Sequence, residues 1–507
     1  MTASDRNSGP ETRNGPERQI APGAGSGRTS VAVVGGGLAG LAAAVALCER
    51  GFRVELFEAG RRLGGRAGSF RDGISGELVD SCQHVAMGCC TNLADFLRRT
   101  GTSGCFRRRR QLHFVGPDGR HYRVAAAPGL PAPLHLVPGL MQFGYLGLID
   151  RLRIVRTLGR LARLPPEGGP TDSAAVGPWL SRQGESDRAL RRFWSVVLVS
   201  ALGETLDRAS LAAARKVFVD GFLASRRAYE LEVPRVPLAE IFDRRVGDWL
   251  CARGVTIHRG MRVAKIDGDA DRARAVVLGD GSRRPFDGFV AAVPWRAVGA
   301  LFAPAMLPAL PSLAHVERIE PAPITAVHLW LDRAIPSPPE AALVGRTSQW
   351  VFRRGGPKAK ADRRPQTPQS GHYVQVVISA SHELIGRPHG ELARQVKAEL
   401  AGIWPAARRA RLLRWRVITH REAVFSVRAG IEQSRPPQQT PIANLVLAGD
   451  WTATGWPATM EGAVRSGYLA AEAILGHRDP ANRERLLAPD LPRARLARWI
   501  MGGKTER

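Results

Sequence analysis

The chain has 507 residues, of which 44% are hydrophobic and 23% are charged, a composition typical of a soluble globular protein long enough for two buried cores. No uninterrupted apolar run reaches the roughly 18 residues of a membrane-spanning helix, and the polar N-terminus lacks the apolar stretch of a signal peptide, so we expect neither a spanning nor an exported protein. The net charge of +27 favours an anionic partner. Aromatic residues make up only 6% of the chain and no base-reading motif is present, so we expect this partner to be an anionic membrane surface rather than nucleic acid.

The first predicted elements form a βαβ unit. Residues 1–28 are rich in Gly, Pro, Ser and charge, which predicts a disordered tail. Residues 31–34 are wholly apolar, as in a buried parallel strand. The alanine-rich stretch 38–50 predicts a helix, and residues 53–57 predict the second strand.

The next segment is apolar and interrupted by prolines. Residues 129–148 contain Pro131, Pro133 and Pro138 and precede a basic amphipathic helix predicted over 149–164. Residues 129–164 therefore suit either a membrane contact or a buried cap on a substrate domain. Residues 178–232 are predicted to be mostly helical.

The rest of the chain returns to strands and ends in a basic tail. Arg493, Arg495 and Arg498 beside Trp499 predict a short surface helix near the C-terminus. Strands are predicted at 255–258, 275–278, 289–293, 324–331, 373–379 and 445–447, with a helix over about 459–475.

A glycine-rich turn joins the first strand to the first helix. In this GxGxxG pattern, Gly35 permits the tight turn, Gly37 lets a pyrophosphate approach the backbone next to Leu38 and Ala39, and Gly40 lets the helix pack closely on the strand. Glu58 closes the second strand, where a carboxylate accepts hydrogen bonds from ribose hydroxyls. The pattern predicts a dinucleotide site.

Two further motifs indicate FAD rather than NAD. A Gly-Gly doublet between arginines follows the acidic strand and suits a backbone wrapped around phosphate. Near the other end of the chain, Asp450 after Gly449 suits a ribityl hydroxyl, and the following helix directs its positive end towards a reduced flavin. Besides Gly35, Gly37, Leu38, Ala39, Gly40 and Glu58, the predicted cofactor contacts are Arg62, Gly64, Gly65, Arg66, Val263, Gly449, Asp450, Met460, Glu461 and Ala463.

Together these motifs resemble the flavin amine oxidase/phytoene desaturase superfamily. Within it, the chain is most similar to hydroxysqualene dehydroxylases, through stretches at 79–84, 193–202, 214–219, 327–333 and 449–463. The resemblance implies an α/β fold in which a Rossmann-like, two-dinucleotide-binding FAD domain is interleaved with an α+β substrate domain. The expected division is FAD-binding residues 29–92, 236–300 and 440–480, substrate-binding residues 93–235 and 301–439, and a basic tail at 481–507.

The resemblance also implies a reaction. It is the reductive removal of the allylic hydroxyl of hydroxysqualene, a long-chain isoprenoid lipid, to give squalene and water. His84 is the candidate acid and Gln83 the candidate orienting group; Glu204 and Asp207 are alternative proton sources, although we expect them to be exposed carboxylates at a helix end. Cys82 stands where many superfamily members have glycine, which places a thiol near the expected flavin.

Other functions and partners stay open at this level. The alternatives are an oxidative FAD-dependent desaturase or oxidase of another polyprenyl or carotenoid precursor, and a non-enzymatic prenyl-lipid carrier. No second nucleotide-binding fingerprint is present, so a separate electron donor is expected. The six cysteines form no CxxC pair and no cluster with metal spacing, which predicts reduced thiols, no bound metal and a cytoplasmic protein. With the net charge of +27, we expect this protein to be held peripherally at the inner face of the cell membrane.

Overall fold

The computed structural model describes residues 28–165, 170–353, 371–479 and 484–501. The tail predicted over 1–28 therefore lies, except for Arg28, outside the described residues. In chain order the strands β1 to β20 are Ser30–Val34, Arg53–Glu58, Ser69–Arg71, Leu78–Asp80, Ala86–Met87, Phe106–Arg109, Leu112–Val115, His121–Val124, Leu231–Pro234, Thr256–Arg259, Val263–Gly268, Ala273–Leu278, Arg283–Pro285, Gly288–Ala291, Pro321–Leu331, Glu340–Leu343, Trp350–Arg353, His372–Ser379, Leu412–Phe425 and Leu445–Leu447.

The helices surround the sheets and fill the middle of the chain. Three further turns, Leu190–Trp194, Val219–Leu223 and Glu240–Arg245, are π-helical. The helices α1 to α16 are Leu38–Cys48, Thr91–Arg99, Val137–Met141, Leu148–Arg163, Pro170–Ser173, Val176–Arg182, Asp187–Ala189, Ser195–Leu202, Leu211–Phe218, Val246–Cys251, Trp295–Val298, Leu313–Val316, His389–Ile403, Pro405–Arg409, Met460–Arg478 and Arg495–Met501.

A five-stranded parallel sheet forms the first layer, in the order β10-β2-β1-β14-β20. Its strands come from separated parts of the chain. Central β1 is buried along its whole length, which explains its unbroken apolar sequence. Because the strands are parallel, their carboxyl ends all meet at one edge of the sheet.

Helices α1 and α15 pack tightly against each other beside this sheet. A side chain at Gly467 of α15 would place its Cβ 2.3 Å from the carbonyl oxygen of Ala39 in α1. Only glycine permits this approach, which holds the start of α1 close to the helix that follows β20.

A second, seven-stranded sheet has the order β19-β15-β18-β17-β16-β7-β8. One face packs on α13 through residues such as Val327, Val376 and Leu392. On the other face, Ala326 and Val377 form an apolar cluster with Cys82. The two faces follow from side-chain alternation along the paired strands.

Most predicted elements are confirmed, with differences at their ends. The first helix ends at Cys48 rather than at residue 50, and the turn that follows it has Gly51 at a φ of 77°. The region 178–232 is helical over α6 to α9 but ends in strand β9, because this segment pairs with β5 and β6. The surface helix predicted near the C-terminus is confirmed as α16.

The proline-interrupted segment is partly buried and partly exposed. Phe143, Tyr145 and Leu146 lie in the core, whereas Leu148 is 62% exposed. Within the residues described, no helix combines the length and the apolar character needed to cross a bilayer. The predicted domain boundaries stay a prediction.

Candidate cofactor and substrate site

Three predicted cofactor motifs meet at the carboxyl edge of the parallel sheet. The GxGxxG turn follows β1, Glu58 ends β2, and Gly449 and Asp450 follow β20. Open parallel sheets bind ligands at this edge. Motifs at opposite ends of the sequence are therefore neighbours in the fold.

The two glycine-rich turns lie side by side. The N–H of Gly64 donates to the carbonyl of Gly36 at 2.8 Å, and Gly37 and Gly64 form an isolated parallel bridge. A Cβ on Gly35 would lie 2.3 Å from the carbonyl oxygen of Ala292, and a Cβ on Gly40 only 1.9 Å from that of Gly35. At these two positions the backbone is too close to its neighbours for any side chain.

Gly37 differs from these glycines because it borders open space. A Cβ added there would meet no atom within 4 Å. Gly37 is also the N-cap of α1 and, having no side chain, supplies no capping hydrogen bond to the first turn at Leu38 and Ala39. Such a helix start presents backbone N–H groups and a positive dipole end to an anion. The local geometry therefore fits the pyrophosphate of FAD.

Glu58 is held at the same edge by the backbone. Its two carboxylate oxygens accept hydrogen bonds from the N–H of Gly36 at 2.8 Å and of Gly60 at 2.6 Å. Val263 begins β11 two residues after Met261, whose N–H donates to the Glu58 carbonyl at 3.0 Å. The structure thus places Glu58 and Val263 along one border of the site.

Arg66 and Asp450 connect the two ends of the sequence. The Arg66 Nη2 donates to Asp450 Oδ1 at 2.5 Å, and its Nη1 donates to the carbonyl of Ala423 at 3.0 Å. The Asp450 side chain is 4% exposed and the Arg66 side chain 40% exposed. Arg62 instead directs its guanidinium to the Ser69 carbonyl, so that contact competes with its predicted cofactor role.

The loop after β20 is fixed by a residue that the sequence motifs do not reveal. Buried Arg435 donates to the carbonyl oxygens of Asp450, Thr452 and Trp456, at 3.0, 2.7 and 2.8 Å. One guanidinium therefore sets the backbone course of the predicted flavin loop. The local sequence 432–438 has no motif that would have identified it.

Helix α15 begins at Met460, as predicted, but one of its predicted cofactor contacts points elsewhere. The Glu461 side chain is fully buried and accepts hydrogen bonds from the N–H groups of Asn92 and Leu93, at 3.2 and 2.7 Å, at the start of α2. Burial raises the pKa of this carboxyl. Any contact of Glu461 with the cofactor is left to its backbone, as for Ala463, which is itself buried in the core.

His84 lies where the cofactor site approaches the apolar face of the seven-stranded sheet. Its Nδ1 is 2.9 Å from the Cys82 carbonyl oxygen, and Gln83 Nε2 donates to the His84 carbonyl at 3.2 Å. Burial lowers the pKa of His84, and the nearby positive charges of Arg66 and His420 lower it further, while the Cys82 carbonyl and Asp80 oppose the shift. These effects favour the neutral imidazole of His84 in the substrate-free protein.

The Cys82 thiol is directed into the protein rather than presented as a reactive group. It packs against Ala326 and Val377 of the seven-stranded sheet, and burial raises its pKa to about 12. In the part of the chain that the structure describes, Cys82 does not have a positive φ angle. The replacement of glycine by cysteine is therefore compatible with an ordinary backbone at this point.

The expectation that both alternative carboxylates are exposed is wrong for Glu204. Glu204 is 1% exposed and accepts hydrogen bonds from Ser426 Oγ at 2.5 Å and from the N–H of Thr205 at 2.9 Å. Asp207 is exposed, as expected. Pairing across to the end of β19 buries the carboxylate that the sequence places at a helix end.

The tryptophans beside the flavin motif have contacts within the protein. Trp451 is fully buried and donates from Nε1 to the Val293 carbonyl at 3.0 Å. Lys216 and Arg465 lie over the Trp456 ring, at 4.8 and 5.6 Å from its centre. Across the ranges that the structure describes, no group of three or more His, Cys, Asp or Glu residues is placed to hold a metal ion.

Comparisons with known proteins agree with this geometry. The sequence pattern of the family described as flavin containing amine oxidoreductase matches residues 38–475. The hydroxysqualene dehydroxylase of Rhodopseudomonas palustris is 28% identical over 88% of this chain and 98% of its own length. The chloroplastic/chromoplastic 15-cis-phytoene desaturase of Solanum lycopersicum is 25% identical over 88% of this chain and 77% of its own.

Among solved structures, cyclohexylamine oxidase from Brevibacterium oxydans has a similar fold. It superposes with a TM-score of 0.65 at 20% sequence identity, covering 90% of this chain and 100% of the other. The amine oxidase-like fold class and the superfamily resemblance predicted from the sequence are confirmed by these similarities.

Proposed function

We propose, for a chain that belongs to the flavin containing amine oxidoreductase family, that it reductively removes the allylic hydroxyl of hydroxysqualene to give squalene and water. Family membership confirms the predicted class of FAD-dependent oxidoreductase. The observation that supports the finer proposal is the position of His84, between the Arg66–Asp450 end of the cofactor site and the apolar face of the seven-stranded sheet.

This position suits the chemistry of an allylic alcohol. Its C–O bond ionises when the leaving oxygen is protonated, because the allylic cation is delocalised. Reduced FAD, when bound, supplies the hydride that completes the reduction. The protein must hold the hydroxyl near a proton donor, and we assign that role to His84 with Gln83 as the orienting group.

The apolar face supports a long-chain isoprenoid substrate. Ile324, Trp350 and Phe352 pack around the cluster of Cys82, Ala326 and Val377, and the indole Nε1 of Trp350 donates to Ser200 Oγ of α8 at 2.9 Å. The part of the sheet face that contacts Cys82 is therefore apolar. A hydrocarbon chain loses no hydrogen bonds by lying there.

The direct test is an anaerobic incubation of dithionite-reduced, flavin-loaded protein with hydroxysqualene, in which flavin reoxidation and extracted lipid are followed together. We expect squalene in a one-to-one ratio to reoxidised flavin. His84→Ala should retain flavin and lose turnover, whereas Asp450→Ala should lose flavin. Asp280→Asn, at an exposed carboxylate between β12 and β13, is the control. Reduced flavin that persists beside unchanged alcohol contradicts the proposal.

An oxidative desaturase is the second candidate, favoured by the similarity to 15-cis-phytoene desaturase. It predicts the opposite electron flow, from lipid to oxidised flavin. Bleaching of the oxidised flavin by a carotenoid precursor, with no reaction of the reduced enzyme with hydroxysqualene, selects this candidate. In either direction, we expect a separate electron partner to restore the starting flavin state.

We also propose that the outer face of α4 docks on an anionic membrane. Its first two turns expose Leu148, Ile149 and Leu152 by 62, 64 and 57%, and Arg153 and Arg156 follow on the same exposed side. Apolar side chains beside arginines fit the boundary between lipid headgroups and acyl chains.

Helix α16 adds an exposed aromatic residue next to α4. Ala497 and Met501 of α16 cluster with Ala162 of α4, which leaves Trp499 82% exposed. A large exposed indole is typical of a membrane interface.

Vesicle co-sedimentation tests this membrane face. Leu152→Glu should weaken binding to vesicles containing phosphatidylglycerol about 10-fold, since it removes about 1 kcal/mol of apolar burial and adds a repelled charge. Ile385→Glu, at an exposed apolar position on another element, is the control. Equal binding of the two variants would rule out α4 as the docking face.

A further inference from the structure

A cavity of about 460 Å³ lies where the end of β6, the segment after β8 and the segment before β9 meet. This volume is in the range of sites that hold small organic ligands. None of the predicted FAD contacts is among its lining residues, so it is a different site from the cofactor cradle. Its charged and aromatic lining residues are Arg108, Arg110, Arg226, Arg227, Tyr229 and Glu230.

Strand alternation directs two of these arginines to the cavity. Residues 107–110, in β6 and directly after it, are four successive arginines, and neighbouring side chains of a strand point to opposite faces. Arg109 contacts Glu340 of β16 at 2.7 Å, whereas Arg108 and Arg110 line the cavity. The arginine run thus brings two guanidinium groups, two residues apart, to one cavity.

The backbone around the cavity is fixed by hydrogen bonds and close packing. The Tyr229 hydroxyl accepts a hydrogen bond from the N–H of Ala126 at 2.8 Å and donates to the carbonyl of Arg110 at 2.9 Å. A Cβ on Gly88 would lie 2.2 Å from the carbonyl oxygen of Arg227, so this segment is closely packed as well. The arginine side chains therefore start from positions that are already set, which lowers the entropy cost of binding a ligand.

The positive and negative charges at the cavity are unequal in number. Arg108 is 2.6 Å from Glu232 and 3.6 Å from Glu230, so two nearby carboxylates share one arginine. Arg226 donates to carbonyl oxygens of the segment 127–130, which satisfy its N–H groups without neutralising its charge. The carboxylates therefore leave most of the positive charge uncompensated.

Arg110 and Arg227 remain available to a ligand. Across the described part of the chain, their exposed guanidinium groups have no hydrogen-bond acceptor and no ion-pair partner. The four arginines at the cavity stand against two carboxylates, which is an excess of two positive charges.

We propose that this cavity binds the phosphate monoester group of a small ligand. A phosphate monoester carries up to two negative charges, which matches the excess, and a planar guanidinium binds a pair of phosphate oxygens. The same group occurs in soluble esters such as glycerol 3-phosphate and in the headgroup of phosphatidic acid. The segment 127–130 leads through α3 to α4, whose outer face we assign to a membrane, so a lipid is tested beside a soluble ester.

The soluble ester is tested by calorimetric titration of the flavin-loaded protein with glycerol 3-phosphate, because bound FAD already occupies the other phosphate site. Arg110→Gln and Arg227→Gln should each raise the Kd about 10-fold, since each removes a charged donor to the phosphate. Arg409→Gln, at an exposed arginine of α14, removes the same charge elsewhere and should leave the Kd unchanged. Retained flavin absorbance in all three variants shows that they are folded.

The lipid is tested by co-sedimentation of the same variants with vesicles containing phosphatidic acid. If the natural ligand is a lipid headgroup, Arg110→Gln and Arg227→Gln should bind these vesicles about 10-fold more weakly than Arg409→Gln. If it is a soluble ester, the three variants should bind the vesicles equally and differ with glycerol 3-phosphate. Either result supports the phosphate site. The proposal is overturned if the unsubstituted protein binds neither probe, or if the cavity variants match Arg409→Gln with both.

Discussion

Replacing Gly37 by alanine separates the cofactor role of the first glycine turn from its folding role. Gly37 has a φ of −72° and a ψ of 177°, which alanine adopts without strain, and its Cβ would meet no atom within 4 Å. At Gly40 the Cβ would lie 1.9 Å from the carbonyl oxygen of Gly35. Gly37→Ala should therefore fold normally and bind FAD poorly. Gly40→Ala should instead destabilise the folded protein, because its Cβ collides with the turn.

The expected magnitudes follow from these contacts. At the N-cap of α1, alanine costs about 0.5–1 kcal/mol relative to glycine, and the restricted unfolded chain returns about 0.4–1 kcal/mol, so the free energy of unfolding should stay within about 0.5 kcal/mol. A methyl group over the helix start displaces the pyrophosphate from one or two N–H groups. Hydrogen bonds to a charged group are worth about 1.5–3 kcal/mol each, so losing one or two of them should raise the Kd for FAD about 10- to 25,000-fold.

The assay compares urea unfolding of the apoprotein with FAD titration followed by flavin fluorescence. Gly40→Ala should lower the free energy of unfolding by about 2–4 kcal/mol. Gly159→Ala in α4, where a Cβ also meets no atom within 4 Å, should leave FAD binding unchanged. If Gly37→Ala binds FAD as tightly as Gly159→Ala does, the space above Gly37 is not the pyrophosphate site.

Three further predictions concern residues around the site and beneath the proline-rich segment. Because burial raises the pKa of Cys82 to about 12, iodoacetamide at pH 8 should alkylate exposed Cys251 long before Cys82 in the native protein. Equal alkylation rates of the two cysteines, measured by peptide mapping, would contradict this burial. Arg435→Met should lower the free energy of unfolding by about 3–5 kcal/mol and release flavin, because three carbonyl oxygens of the loop after β20 lose their donor. The control Arg120→Met, at a side chain that is 80% exposed, should do neither. Retained flavin in Arg435→Met would contradict the role of this arginine. His135 is fully buried, and burial lowers its pKa from 6.5 to about 4, so the stability due to its neutral form is present above pH 6.5 and is lost as pH falls through 4. In urea titrations at pH 7 and pH 4, His135→Leu should therefore remove about 3 kcal/mol of the loss of stability at acid pH. An unchanged pH dependence would refute this assignment.

The geometry of the first glycine turn was predictable because its requirements are local. Gly35 and Gly40 are fixed by backbone contacts that any side chain would disrupt, and the apolar strand before them is fixed by burial on both faces. A short sequence pattern is therefore enough to predict the geometry of this turn. Asp450 follows from the same logic, since the carboxyl ends of parallel strands meet at one edge.

Residues whose roles depend on distant partners were not predictable in this way. Arg435 is buried by a loop that lies later in the chain, and Glu204 is buried by Ser426. Glu461 has the expected position at the start of α15, but its carboxylate is used by the backbone of α2. In each case the sequence specifies the residue, and long-range packing selects the atom that it contacts.

The residues that would determine the reaction belong to this second class. A backbone cradle for FAD serves reduction and oxidation equally, because it binds phosphate and ribose rather than the reacting carbon. What differs is the group near the reacting carbon, and the proposed group is His84, from the segment after β4. No phosphate-binding motif marks this segment, so the direction of electron flow is best sought in the proton chemistry of His84.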